Sequence, residues 1–226
     1  MLQTVAQRFR GSCMMLMHQS GNKVMFLGSS FLVHPEGYML TAARLAEDDH
    51  GLMVVPPDTE SGFNPVTREE VSPVPVKVIS RDVTHDVALL KLEPDLEINM
   101  PEAVLGSGET DPQGGLLMSL GAPFGYYRVH KVLAAQSILS GRVKSHSDTN
   151  LIIFDRRVQY GDIGGPLISV EDTQVIGVVG GVFDPLELED RDPPEDVNPI
   201  NSDLSYATSI EYGAALLQED LNGEES

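Results

Sequence analysis

The stretch Gln159-Tyr160-Gly161-Asp162-Ile163-Gly164-Gly165-Pro166-Leu167 decides how this chain reads. Its frame is a glycine, two variable residues, Gly-Gly-Pro and an aliphatic residue. Glycine tolerates backbone conformations closed to other residues, so three glycines in five positions mark a tight turn. The apolar run at 167–170 then reads as the strand that the turn feeds. The second variable position is Ile163, a hydrocarbon without a lone pair or an exchangeable proton. Whatever the turn presents, Ile163 presents apolar volume.

Working outward, composition sets the bounds. The chain has 226 residues and 41% hydrophobic content, enough to bury a core in one large domain or two small lobes. Twenty-one glycines and fifteen prolines suit a fold of strands and loops better than a helical bundle. The net charge of -19 argues against nucleic acid, whose phosphates need clustered Lys and Arg, and against anionic membranes. Solubility is one reading of that charge, and attraction for a basic segment or cation is the other. No apolar run approaches the length of a membrane span. Residues 1–10 lack the charged-then-apolar pattern of a secretory leader, so the default expectation is the cytoplasm.

Cys13 has no second cysteine to pair with and sits in an apolar run, as a buried structural thiol does. The six histidines, His18, His34, His50, His85, His130 and His146, are scattered, and no pair has metal-ligand spacing. No metal or other cofactor is expected.

Short apolar segments separated by turn signals run along the chain. Residues 1–10 read as a short helix or arm with Thr4 as its cap. Strands are expected at 12–17, 24–33 (interrupted by Gly28-Ser29-Ser30), 38–42, 52–55, 74–80 and 87–92. Gly21-Asn22 reads as a hairpin turn. The continuous apolar run 87–92 suits a strand buried on both faces. Residues 58–72 read as a loop. The segment 106–115, rich in Gly, Pro and acids, is the best internal boundary. It separates an N-terminal unit at about 11–106 from a C-terminal unit at about 115–221, with a linker at 107–114. Strands resume at 116–120, 132–143, 151–154, 167–170, 175–182 and 203–210, and residues 211–221 have helical spacing. Residues 184–203 carry eight acids and four prolines, which reads as a solvated loop. No tandem repeat appears.

Three separated stretches then align with a known pattern. Gly37-Tyr38-Met39-Leu40-Thr41-Ala42-Ala43-Arg44 resembles the strand and turn that deliver the catalytic histidine of trypsin-like serine proteases. Asp86-Val87-Ala88-Leu89-Leu90-Lys91-Leu92 resembles the segment with their catalytic aspartate. Gly161 to Leu167 resembles the nucleophile loop, and the chain order is that of chymotrypsin. The HtrA (Deg) branch is the nearest likeness. Gly28-Ser29-Ser30-Phe31-Leu32-Val33, Leu120-Gly121-Ala122-Pro123-Phe124-Gly125, residues 154–161 and Tyr206-Ala207-Thr208-Ser209-Ile210 each resemble its motifs. The resemblance covers residues 11–220. It implies an all-β fold of two antiparallel β-barrels of the trypsin/chymotrypsin type, with a short C-terminal helix packed on the second barrel.

The departures fall on the chemistry. The histidine position holds Arg44 and the serine position holds Ile163, while Asp86 keeps the carboxylate. Acyl-enzyme catalysis needs a nucleophile and a base. A guanidinium does not release its proton near neutral pH, and Ile163 has nothing to attack with. Arg44 is expected to pair with Asp86, which otherwise lacks its partner, in preference to gripping a ligand carboxylate. The resemblance implies backbone oxyanion donors in the loop of Gly161, Asp162 and Ile163, although Asp162 would repel an anion there. It also implies a pocket wall carrying Gly177, Gly180 and Gly181.

The expectation is a catalytically inactive protease homologue, a pseudoprotease, that binds a protein or peptide, with a basic segment as one candidate contact, or serves as a scaffold or regulatory subunit. Two alternatives stand beside it. One is a hydrolase with a relocated nucleophile such as Ser119 or Cys13, and the other is a purely structural domain of a larger assembly. The acidic stretch 184–203 would be either inert or a capture element for a basic partner. The PDZ module usual in HtrA proteins is expected to be absent.

Overall fold

The computed structural model describes residues 1–9, 11–48, 50–57, 63, 65–67, 71–93, 98–101, 103–188 and 202–224. The loop read at 58–72 and most of the acidic stretch 184–203 therefore lie outside the described residues. Twelve strands form two closed barrels. The first holds β1 (Cys13–Ser20), β2 (Lys23–Leu32), β3 (Tyr38–Thr41), β4 (Leu52–Val55), β5 (Val74–Asp82) and β6 (Val87–Leu92). The second holds β7 (Leu116–Gly121), β8 (Leu133–Lys144), β9 (Asn150–Phe154), β10 (Pro166–Ser169), β11 (Gln174–Val182) and β12 (Ser205–Ser209). Helices α1 (Leu2–Arg8), α2 (Pro185–Leu188) and α3 (Ile210–Glu224) complete the described elements, with three single turns of 3-10 helix.

The barrels repeat one topology. The first closes in the order β1-β2-β3-β6-β5-β4 and the second, read from β7, in the order β7-β8-β9-β12-β11-β10, all antiparallel. Side chains alternate across each strand, and both faces find apolar partners. On β6, Ala88, Leu90 and Leu92 fill the first barrel with Met14, Leu16 and Met39. Val87 and Leu89 of the same strand face outward into a core with Met118, Leu120, Ile168 and Val178 of the second barrel. This explains the unbroken apolar run, because one face closes a barrel and the other joins the two. The second barrel is filled by Leu117, Leu139, Ile152, Phe154, Leu167 and Ile176.

Gly21, at φ +59°, makes the two-residue turn of the β1–β2 hairpin, where Ser20 pairs with Lys23. The expected interruption of β2 at Gly28-Ser29-Ser30 is absent, and the strand is continuous. Helix α1 starts at Leu2 with Met1 as N-cap, so Thr4 lies inside it and caps nothing. Residues 103–106 already belong with the second barrel, since Leu105 bridges Val175 and the Gly106 N–H donates to the Val175 carbonyl at 2.9 Å.

Helix α3 does not pack on the second barrel alone. Ile210 and Leu217 enter the core between the barrels. The buried Tyr38 hydroxyl on β3 donates to Asp220 at 2.7 Å and accepts from Lys91 Nζ at 2.9 Å. Tyr38→Phe is expected to destabilise the fold by about 1 kcal/mol, the usual net worth of such a hydrogen bond. Thermal denaturation should register this as a fall of about 2–4 °C.

Candidate functional site

The site is built where three turns meet between the barrels. Arg44 lies in a 3-10 turn, Ala43–Leu45, that follows β3. Its backbone N–H donates to Asp86 Oδ1 at 3.0 Å, and its guanidinium Nη1 pairs with Asp86 Oδ2. The other end of the guanidinium, Nη2, donates to the carbonyl of Gly180 on β11. One side chain thus ties a carboxylate of the first barrel to a backbone acceptor of the second. Asp86 holds a left-handed backbone, φ 55°, which Asp tolerates better than most residues.

Gly180 is available because of a β-bulge. Val179 pairs with Ala207 and Gly181 with Tyr206, so Gly180 falls out of register with β12. On the other side of β11, pairing with β10 reaches only Pro166 opposite Val178. The carbonyl is left facing the cleft, where Arg44 takes it.

The glycine-framed loop forms the third turn. Gly164 has φ +83°, and a Cβ there would come within 2.2 Å of the Ser29 carbonyl oxygen and 2.4 Å of Thr41 Oγ1. Only glycine fits, and the reason is backbone packing between barrels rather than chemistry. Ser29 is the hub of that packing. Its hydroxyl donates to the Gly161 carbonyl at 2.7 Å, and its N–H donates to the Ile163 carbonyl at 2.8 Å. The Ala122 N–H donates to Ser29 Oγ at 3.1 Å.

Residues Tyr160–Asp162 form a 3-10 turn inside the loop. The Ile163 N–H is directed to the Tyr160 carbonyl at 3.3 Å, and the Asp162 N–H to the Gln159 carbonyl at 2.9 Å. Asp162 turns inward and is 1% exposed. Its Oδ2 accepts from the Gln159 N–H at 2.9 Å and from Arg156 Nη2 at 3.0 Å, while Arg156 Nη1 donates to Ser119 Oγ. Burial pushes the Asp162 carboxyl above its ordinary value and outweighs the opposing pull of Arg156 and of the Gln159 N–H.

A cleft of about 540 Å³ opens between the barrels over these turns. Leu27, Leu45, Ile163, Val182 and Leu188 give it an apolar lining, and Arg44, Gly180 and Gly181 stand in its wall. Tyr126 and Tyr160 also line it, 53% and 78% exposed. Tyr126 is held by a T-shaped contact with the Phe26 ring, centroids 4.8 Å apart, and by its hydroxyl, which donates to the Leu27 carbonyl at 2.9 Å. Burial, then the nearby Tyr160, raises its phenol above the ordinary value.

Of the residues expected at the site, Arg44, Ile163, Gly180 and Gly181 come together in the cleft, with Asp86 behind Arg44. Gly161, Asp162 and Gly177 do not line it. Gly161 is packed on the Ala122 carbonyl, and Asp162 points beneath the loop. Gly177 lies against Ile152 and Ala207 of the second barrel. The alternative nucleophiles are also away from the cleft. Ser119 is buried on β7 and bonded to Arg156, and Cys13 is buried, with burial driving its thiol pKa far up. His85 pairs with Asp82 at 2.5 Å and stacks on Tyr212 of α3 at 3.8 Å. Among the described residues, no group of three or more His, Cys, Asp or Glu is placed to hold a metal ion. No described helix is long and apolar enough to cross a membrane.

Residues 28–178 match the family model described as a trypsin-like peptidase domain. The chain belongs to the trypsin-like peptidase domain family. Its curated relatives include a probable periplasmic serine endoprotease DegP-like protein of Pseudomonas fulva, 30% identical over 158 residues, which are 70% of this chain and 29% of that protein. Serine protease HTRA1 of Xenopus tropicalis is 27% identical over 154 residues, 67% of this chain and 30% of that protein. The matched region thus spans under a third of these relatives' length. The name of the bacterial relative places that protein in the periplasm, which gives the cytoplasmic expectation no support. Among solved structures, the HtrA-type protease AlgW with tripeptide superposes with a TM-score of 0.68 at 16% identity, covering 96% of this chain and 62% of that one. The trypsin-like fold, as two six-stranded barrels, is thereby established. Arg44, Asp86 and Ile163 are the residues expected from the motifs at the base, carboxylate and nucleophile positions, and the structure pairs the first two and brings Arg44 and Ile163 to one cleft. Of the backbone N–H groups expected to serve an oxyanion in the loop of Gly161, Asp162 and Ile163, that of Ile163 is bonded to the Tyr160 carbonyl.

Proposed function

We propose that this trypsin-like domain does not hydrolyse peptide bonds and uses the cleft between its barrels to hold an extended peptide or protein segment. The observation that carries the reading is Arg44, whose guanidinium is committed to Asp86 and Gly180. The group at the base position is a permanent cation, and the group at the nucleophile position is a hydrocarbon. The cleft nevertheless stays open and lined with apolar and aromatic groups, as binding grooves are. The burial of Ser119 and Cys13 weighs against a relocated nucleophile.

The Arg44 bridge also favours a second reading, in which the domain is purely structural and the bridge only locks the barrels together. The open cleft is what favours binding over that alternative.

Two measurements test the first part of the proposal. A fluorophosphonate probe, which marks activated serines, is expected to leave the protein unlabelled. Fluorogenic peptides are expected to show no turnover above buffer. Labelling, or turnover abolished by one point substitution, would overturn the reading of inactivity.

A further inference from the structure

We infer that Arg44 is an internal competitor of the segment held in the cleft: its guanidinium occupies the Gly180 carbonyl, and an extended chain that pairs with β11 displaces it from that acceptor. This rests on the reading of the cleft as a peptide groove and names how the groove is closed and opened. A length of open strand edge carries the inference. On one side of β11, pairing with β10 ends at Pro166 opposite Val178. The loop before β10 takes the next residue. The Gly164 N–H donates to the Val179 carbonyl and the Val179 N–H to the Gly165 carbonyl, each at 2.8 Å. Beyond Val179, among the described residues, no strand pairs with β11 on that side.

On the other side β12 continues, with Val182 opposite Ser205, and the Phe183 N–H donates to the Leu204 carbonyl at 2.9 Å. Backbone groups of an antiparallel strand point alternately to its two neighbours. Phe183 turns toward β12, so Val182 turns its N–H and carbonyl toward the cleft, which Gly180, Gly181 and Val182 all line. The edge is open at Val182 and stoppered at Gly180 by Arg44. An extended segment gains its affinity from such an edge through main-chain bonds, and here one acceptor is already taken. The stopper is removable. The Arg44 side chain is 39% exposed, and its two ends hold different partners, Nη1 on Asp86 and Nη2 on Gly180. Yielding Gly180 costs one hydrogen bond and leaves the Asp86 carboxylate paired. A lysine at position 44 separates the two bonds, because its single ammonium can stay on Asp86 but has no planar fork to span a second acceptor.

The test pans a phage-displayed library of random octapeptides on the full wild-type chain and, separately, on Arg44→Lys. Enriched peptides are synthesised with capped ends and titrated against both proteins by fluorescence anisotropy. They are expected to bind R44K about five- to ten-fold tighter than wild type, the net worth of one backbone hydrogen bond no longer contested. N-methylation of alternate peptide amides is expected to abolish binding in one phase and spare it in the other, as pairing along a single strand edge requires. Equal affinity for the two proteins, or weaker binding to R44K, overturns Arg44 as a competitor and leaves the groove standing. N-methylation that is harmless in both phases overturns pairing with β11, and the competitor role with it. Enrichment on neither protein overturns the groove itself. Circular dichroism checks that R44K folds. If it does not, R44Q, whose shorter side chain also cannot span both acceptors, carries the same comparison with the same outcomes.

Discussion

The double variant R44H/I163S is expected to recover peptide hydrolysis at a rate about 10²–10³ below that of an HtrA-type relative, because one oxyanion donor remains occupied. The substitutions return an imidazole and a hydroxyl to the positions that the motifs assign them. The carboxylate is ready, since Asp86 Oδ1 already accepts the backbone N–H of residue 44 at 3.0 Å, a bond that the side chain does not supply. The loop is not ready. Its 3-10 turn directs the N–H of residue 163 to the Tyr160 carbonyl, and that turn is held from below by Asp162 on Arg156 and on the Gln159 N–H. A tetrahedral intermediate would have to break this arrangement to gain its donor. The comparison is of kcat/KM for one fluorogenic peptide across wild type, R44H/I163S and the relative. A rate equal to the relative's would sink the argument, because it would mean that the loop rearranges at no cost.

How far the site was legible follows from what kind of constraint each residue answers to. The glycine frame at Gly161, Gly164 and Gly165 was readable because it is fixed by steric contact with Ala122, Ser29, Thr41 and Leu120, and that contact does not depend on the side chain at position 163. The partner of Asp86 was readable from charge alone, since a cation at the histidine position has one obvious acid to meet. The second acceptor, Gly180, was not, because a bulge that shifts register by one residue leaves no periodic trace. Asp162 was misread as a cleft residue for a related reason. Its place in the motif is on the loop, but the 3-10 turn rotates its side chain inward to Arg156, and no spacing rule announces a pair six residues apart across such a turn. Tyr126 and Tyr160 come from different loops and meet only in three dimensions. Strands such as β6 read well, because an apolar run buried on both faces needs no finer pattern. The repeated topology of the barrels did not, since it is written in strand order and not in residues.

The Arg156–Asp162 pair yields the largest expected change in stability. Arg156→Met is expected to destabilise the fold by about 3–5 kcal/mol, the cost of leaving a buried carboxylate without its counter-charge. Both groups are well shielded, at 18% and 1% side-chain exposure, so solvent does little to soften the loss. The pH dependence identifies the cause. Burial raises the Asp162 pKa in the folded chain, so over the interval between its unfolded and folded values the native state keeps a proton that the unfolded state has released. Stability therefore falls as pH rises through that interval. Arg156 opposes the upward shift, so removing it widens the interval, and the deficit of R156M should be small in acid and grow toward neutral pH. Adding D162N removes the charge that must be buried, so R156M/D162N is expected to recover much of the loss at neutral pH and almost none in acid. Urea denaturation of the single and double variants across pH separates this from a packing effect. A deficit in R156M that is the same at every pH, or that D162N leaves untouched, would show that the methylene stem of Arg156 matters and its charge does not.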